Sequence, residues 1–188
     1  MAARTRSRRK KPARDTGERD NQAPTCFVSY STREAHVSLL IECIEIVLTP
    51  HFKVNRTPSA LESGASQRSQ IRQLIHDCAF GIVILDGLRP NVVFEYGILD
   101  GLRKPVIFFK EVEAKVDIGG FFERAPNLSL DPVTLNLDKH FSDAKDIYCA
   151  PWNRFEIKKT VHTIWEEYTK KRGDISGYID IPEPKLCT

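Results

Sequence analysis

The chain lacks any unbroken apolar run near the roughly 18–20 residues that a membrane-spanning helix needs, which excludes a helical membrane anchor as an expectation. Its N-terminal segment has no apolar stretch, so no secretory signal is expected and a cytoplasmic location follows. Cysteine is sparse in pattern rather than in number: Cys26, Cys43, Cys78, Cys149 and Cys187 are scattered, with no CxxC pair. No histidine stands at a metal-ligand interval from any of them, so neither a disulfide framework nor a metal site is expected. The first four lie in apolar segments and read as small core side chains. GxGxxG, the P-loop, HExxH and GxSxG are all missing, which removes the usual dinucleotide, triphosphate, zinc-protease and serine-hydrolase signatures.

The formal charge of +3 is unevenly placed. Seven Lys or Arg fall within residues 1–14 with no acid among them, and without those seven the remainder carries −4. Residues 1–24 therefore read as a disordered basic leader. Contact with nucleic acid through it is the less favoured alternative, because no aromatic is interleaved for base stacking. An α/β domain is expected over 25–172 and an irregular tail over 173–188, with Gly173 capping the last helix.

Within the domain, strand-like and helix-like periods alternate. Cys26–Tyr30 is a β-prone run. Ser31 and Glu34 have capping-box spacing ahead of Val37, Leu40, Ile41, Ile44 and Leu48, one face of a helix that Pro50 ends. Phe52–Val54 predicts a short second strand, 55–66 a loop, and Ile71, Leu74, Ile75 and Cys78 the inner face of a second helix. Phe80–Leu85 is apolar throughout, as a central parallel strand covered on both sides must be. Asn91 offers a cap for a helix over 92–102, and Pro105–Phe109 is the next buried strand. Periodicity is lost over 111–143, which predicts a flap or an oligomer contact. Ile147–Cys149 and a helix over 153–172 close the domain. This order implies a flavodoxin-like, mostly parallel five-stranded sheet with helices on both faces.

Ligands of open α/β sheets sit beyond the carboxyl ends of the strands. That rule selects Ser29, Tyr30 and Ser31 after the first strand, Ser63 and Gly64 in the loop after the second, and Asp86 to Glu95 after the third. Glu95 is the odd residue of its helix, in line with Val92, Leu99 and Leu102. Burial penalises a charge there while the helix start favours one, and an ordinary structural glutamate fits the spacing as well as a functional one. Asp86 reads first as a turn former before Gly87 and only second as a ligand group, and Ser31 reads equally as a helix cap.

The segment from Asp86 through Asn91, Glu95, Gly97 and Lys104-Pro105 to Ile107 resembles the "NVFYELG…LGKPVI" segment of TIR-like nucleotide-binding proteins and nucleoside 2-deoxyribosyltransferases. Phe27–Ser31 is similar to the "FISYS" opening of TIR domains, and Ser63-Gly64 precedes the second helix as in them, so the resemblance covers about residues 25–110. It implies a flavodoxin-like fold, cleavage of an N-glycosidic bond in a nucleoside or NAD, and a catalytic role for Glu95. An oxocarbenium-like transition state, stabilised or captured by a carboxylate, gives that role its chemistry. Ser29, Tyr30 and Asp86 would then hold the ribose. Between the strand and Glu95 the deoxyribosyltransferases carry a further acid, whereas Gly87-Leu88-Arg89-Pro90 has none, which speaks against transfer to a second base. Arg89 suits a phosphate, which favours NAD or a related nucleotide as substrate, with no separate cofactor. The resemblance further implies self-association and a role like that of prokaryotic antiviral effectors that deplete NAD or make a signal from it. A non-catalytic nucleotide sensor and a TIR-type interaction module remain the alternatives.

Overall fold

A computed structural model describes residues 23–32, 35–56, 66–86, 89–112 and 148–185. Strands β1 (Thr25–Ser29), β2 (Lys53–Arg56), β3 (Phe80–Ile84), β4 (Val106–Glu111) and β5 (Cys149–Trp152) form one sheet in the order β2-β1-β3-β4-β5. Every pairing is parallel, with Val28 beside Arg56 and Ile82, and Phe108 beside Cys149. Helices α1 (Val37–Leu48), α2 (Gln67–Asp77), α3 (Pro90–Gly101) and α4 (Ile157–Lys170) complete it. This is the expected flavodoxin-like architecture, parallel throughout.

Period-two alternation along the strands builds two cores. Cys26, Val28, Phe80, Ile82, Ile84, Ile107, Phe109 and Trp152 pack with α1 and α4 on one face. Phe27, Val83 and Leu85 pack with Ile75, Val92 and Leu99 of α2 and α3 on the other. Gly81 belongs to the second face, where a Cβ would lie 2.6 and 2.8 Å from the Leu99 methyls. The missing side chain lets α3 settle against β3.

Several boundaries differ from the sequence reading. Helix α1 begins at Val37, with His36 at its N-cap position, so Ser31 is not its cap. It is instead buried beyond the end of β1. Helix α3 begins at Pro90, where a missing N–H costs nothing, so Asn91 lies inside the first turn rather than at the cap. Leu102 ends the Glu95 stripe in solvent, 42% exposed, because the helix stops before it. β2 extends to Arg56 and β4 to Glu111, into segments read as loop. Gly173 has no left-handed φ, unlike Gly177 at 71°. The tail is irregular yet docked: Ile175 and Ile181 are buried, and Trp165 Nε1 donates to the Ile181 carbonyl at 2.8 Å. Tyr168 donates to the Ile179 carbonyl at 2.6 Å and stacks on Tyr178. Cys26, Cys43 and Cys78 are buried free thiols, and Cys149 is half-buried. The leader, and residues 113–143 of the aperiodic segment, lie outside the described residues.

Candidate functional site

In the order β2-β1-β3-β4-β5 the chain reverses direction of travel between β1 and β3, the switch point where open α/β sheets leave a crevice. Ser29 is the last residue of β1, beside Val83 of β3, and its side chain faces the α2–α3 layer. Val92, Glu95 and Leu99 form the buried stripe of α3, and this stripe carries Glu95 to Ser29. Ser29 Oγ donates to Glu95 Oε2 at 2.5 Å, and both residues are buried, Glu95 to 1% exposure. A hydrogen bond to an ionised acceptor is worth about 1.5–3 kcal/mol. Less solvated, the carboxylate acts on a neighbouring positive charge more strongly than it would in water. This bond fixes the orientation of the buried carboxylate between the end of β1 and α3.

Tyr30 follows on the opposite face, half-buried against the α1 side. Burial pushes its phenol upward, Arg56 at the end of β2 pulls it down, and the Glu45 and Glu95 carboxylates raise it again. Arg56 pairs with Glu45 of α1 at 3.4 Å. Tyr30 thus stands within the fields of both Arg56 and Glu95, while Ser31 beside it is buried.

Asp86, just past β3, is in a separate constellation on the α1–α4 side. Its Oδ1 accepts the backbone N–H of Glu111 at 2.8 Å and its Oδ2 accepts the Trp152 indole N–H at 2.8 Å. Burial raises its pKa, against the two donors and His36, which lower it. Glu111 is gripped by the Arg154 guanidinium through both oxygens, and His36 Nε2 lies 3.4 Å from Glu111 Oε2. The Arg154 bonds hold the Glu111 carboxyl below its ordinary value, with burial opposing and His36 assisting. The His36 ring stacks on Trp152 at 5.9 Å between centroids. A hollow of about 290 Å³ adjoins, lined by Glu111, Val112, Asn153, Arg154 and Phe155.

The structure therefore brings Ser29 and Glu95 together on the α2–α3 side, while Tyr30 and Asp86 turn to the other side of the sheet, Asp86 with both oxygens occupied. Arg89 sits at the N-cap position of α3, half-buried, and Asn91 is exposed on its first turn. Ser63 and Gly64 lie outside the described residues. His36, Glu111, Trp152 and Arg154 were not singled out by the sequence. A usable signal existed for one: Glu111 is an acid closing an apolar strand, as Asp86 is.

No protein-family model and no curated protein matches the chain. Among solved structures it is similar to the TIR domains of the activated Roq1 resistosome directly recognizing the pathogen effector XopQ. The TM-score is 0.54 at 11% identity, over 77% of this chain and 98% of that one. The fold is TIR-like. At this identity the likeness concerns the fold alone, and it bears on the TIR part of the sequence resemblance rather than on the deoxyribosyltransferase part. Among the described residues no helix is long and apolar enough to cross a membrane.

Proposed function

We propose that this TIR-like domain cleaves the N-glycosidic bond of NAD or a related nucleotide, with Glu95 as the catalytic carboxylate. The observation that carries the reading is the buried Glu95 held by Ser29 at the switch point of the sheet. In such a reaction the C1′–N bond breaks with its electron pair leaving on the nicotinamide nitrogen. Positive charge develops on the ribose C1′ and ring oxygen, where a preorganised carboxylate stabilises it. Water then adds at C1′ and loses a proton, giving the free sugar hydroxyl. The Ser29 hydroxyl keeps the carboxylate from rotating as this charge appears, Tyr30 and Ser31 hold the ribose, and Arg89 meets phosphate.

The similar fold is found in an activated resistosome that recognises a pathogen effector. That supports a defence role for this chain, and an assembly of several copies as the active form. A binding or interaction module is the second reading, and it draws on the same burial of Glu95, which limits the access of a substrate to the carboxylate. Incubation of the purified protein with NAD and a nucleoside panel, with products resolved by chromatography, separates the two. Cleavage lost in Glu95→Gln supports the enzyme, and binding without turnover supports the module.

A further inference from the structure

Two polar clusters end the sheet on opposite faces, Ser29 with Glu95 on one and Asp86 with Glu111, Trp152, His36 and Arg154 on the other. One short stretch of chain joins them. Leu85 still donates its N–H to the Phe109 carbonyl at 2.9 Å, in the β3–β4 ladder. One residue later the backbone has left the sheet, and the Asp86 side chain takes over by accepting the Glu111 N–H. Trp152, at the end of β5, reaches the other carboxylate oxygen. Asp86 is thus fastened to two neighbouring strands at the point where the chain departs toward Pro90 and α3.

We propose that Asp86 and Trp152 are positioning residues for Glu95: their hydrogen bond anchors the exit from β3 and so sets where α3 presents its carboxylate to Ser29. The chemistry of the partners makes the anchor selective. An indole N–H and a backbone N–H are donors only, so the group between them must offer two acceptors. A carboxylate does this and an amide does not. His36 stacked on Trp152, and the Arg154–Glu111 pair beside the Glu111 N–H, limit the ways in which either donor can turn aside. The catalytic consequence rests on the reading of Glu95 as the reacting carboxylate. The anchoring of α3 does not.

The test uses Asp86→Asn, which keeps shape but sets an amide NH₂ against one of the two donors, together with Trp152→Phe and the double variant. Hydrogen exchange is read along the four described helices, and NAD-cleavage kcat and KM are read below the unfolding range, with Glu95→Gln in parallel. Asp86→Asn should speed exchange in the first turns of α3 while α1 and α2 stay at parental rates. It should lower kcat about tenfold or more with KM within about twofold, because a displaced Glu95 weakens the transition state rather than ground-state binding. The double variant should regain part of that loss, since the indole N–H no longer opposes the amide. Parental α3 exchange in Asp86→Asn, or equal acceleration across every helix, would overturn the proposal. Parental turnover in Glu95→Gln overturns the Glu95 reading itself, and the exchange pattern then decides the anchor alone.

Discussion

Ser29 Oγ and Glu95 Oε2, separated by 66 positions in the sequence, meet at 2.5 Å in a buried contact between the end of β1 and α3. Ser29→Ala removes one donor from a buried carboxylate, a change that costs about 1–3 kcal/mol. The denaturant midpoint should fall accordingly, and cleavage should slow through kcat with KM little changed. A variant indistinguishable from wild type in both would mean that the bond neither stabilises nor orients Glu95.

The seat of α3 depends on the absent side chain at Gly81. Gly81→Ala forces the Leu99 methyls, within contact at 2.6 and 2.8 Å, to move inside a packed layer. Overpacking of this kind costs about 1–3 kcal/mol. Combined with Leu99→Ala the penalty should be less than additive, because the truncated residue leaves room for the new methyl. Strict additivity would show that Gly81 and Leu99 do not share the space.

The Glu111–Arg154 pair predicts a specific acid sensitivity. The folded-state pKa of Glu111 is depressed, chiefly by Arg154, so its contribution is present above the ordinary glutamate pKa and lost as pH falls through the lower folded value. Asp86 is shifted upward and contributes in the opposite sense, so wild type alone is ambiguous. The comparison with Glu111→Gln isolates the effect, since His36, Asp86 and Arg154 remain around that position. Between about pH 5 and pH 2, wild type should lose more stability than Glu111→Gln. An equal loss would contradict the assignment.

The tail is part of the core. Removing residues 174–188 exposes the surroundings of Ile175 and Ile181 and strips Trp165 and Tyr168 of their carbonyl acceptors. Burial of two such side chains is worth about 3 kcal/mol or more, a fall of about 6 °C or more in Tm. Removing residues 1–22, which lie ahead of β1 and offer no apolar cluster, should move Tm by no more than about a degree or two. The opposite ranking would mean that the leader, and not the tail, completes the domain.

The sheet was legible where one physical demand dominates. Phe80–Leu85 must be apolar throughout because helices cover both faces, and Gln67–Asp77 shows its few inward residues at helical spacing. Glu95 stood out for the same reason, as an acid in an apolar stripe, and the structure buries it there. Its bond to Ser29 was not readable, because a contact across the sheet end depends on strand order, which no local pattern encodes. Asp86 looked like a turn former or a ligand group. It became a tie between strands only once β4 and β5 were in place beside it. The docked tail was missed because its anchors are backbone carbonyls, which leave no mark on residue type.

The most direct measurement is NAD cleavage by Glu95→Gln beside wild type, with Tm recorded for both. The substitution keeps the size of the side chain and removes the charge opposite the developing oxocarbenium ion. Turnover should fall by roughly 10²-fold or more, about 3 kcal/mol of barrier. The Tm should hold or rise, because a buried charge no longer has to be desolvated. Cleavage by Glu95→Gln at the parental rate would contradict the assignment of Glu95 as the catalytic residue.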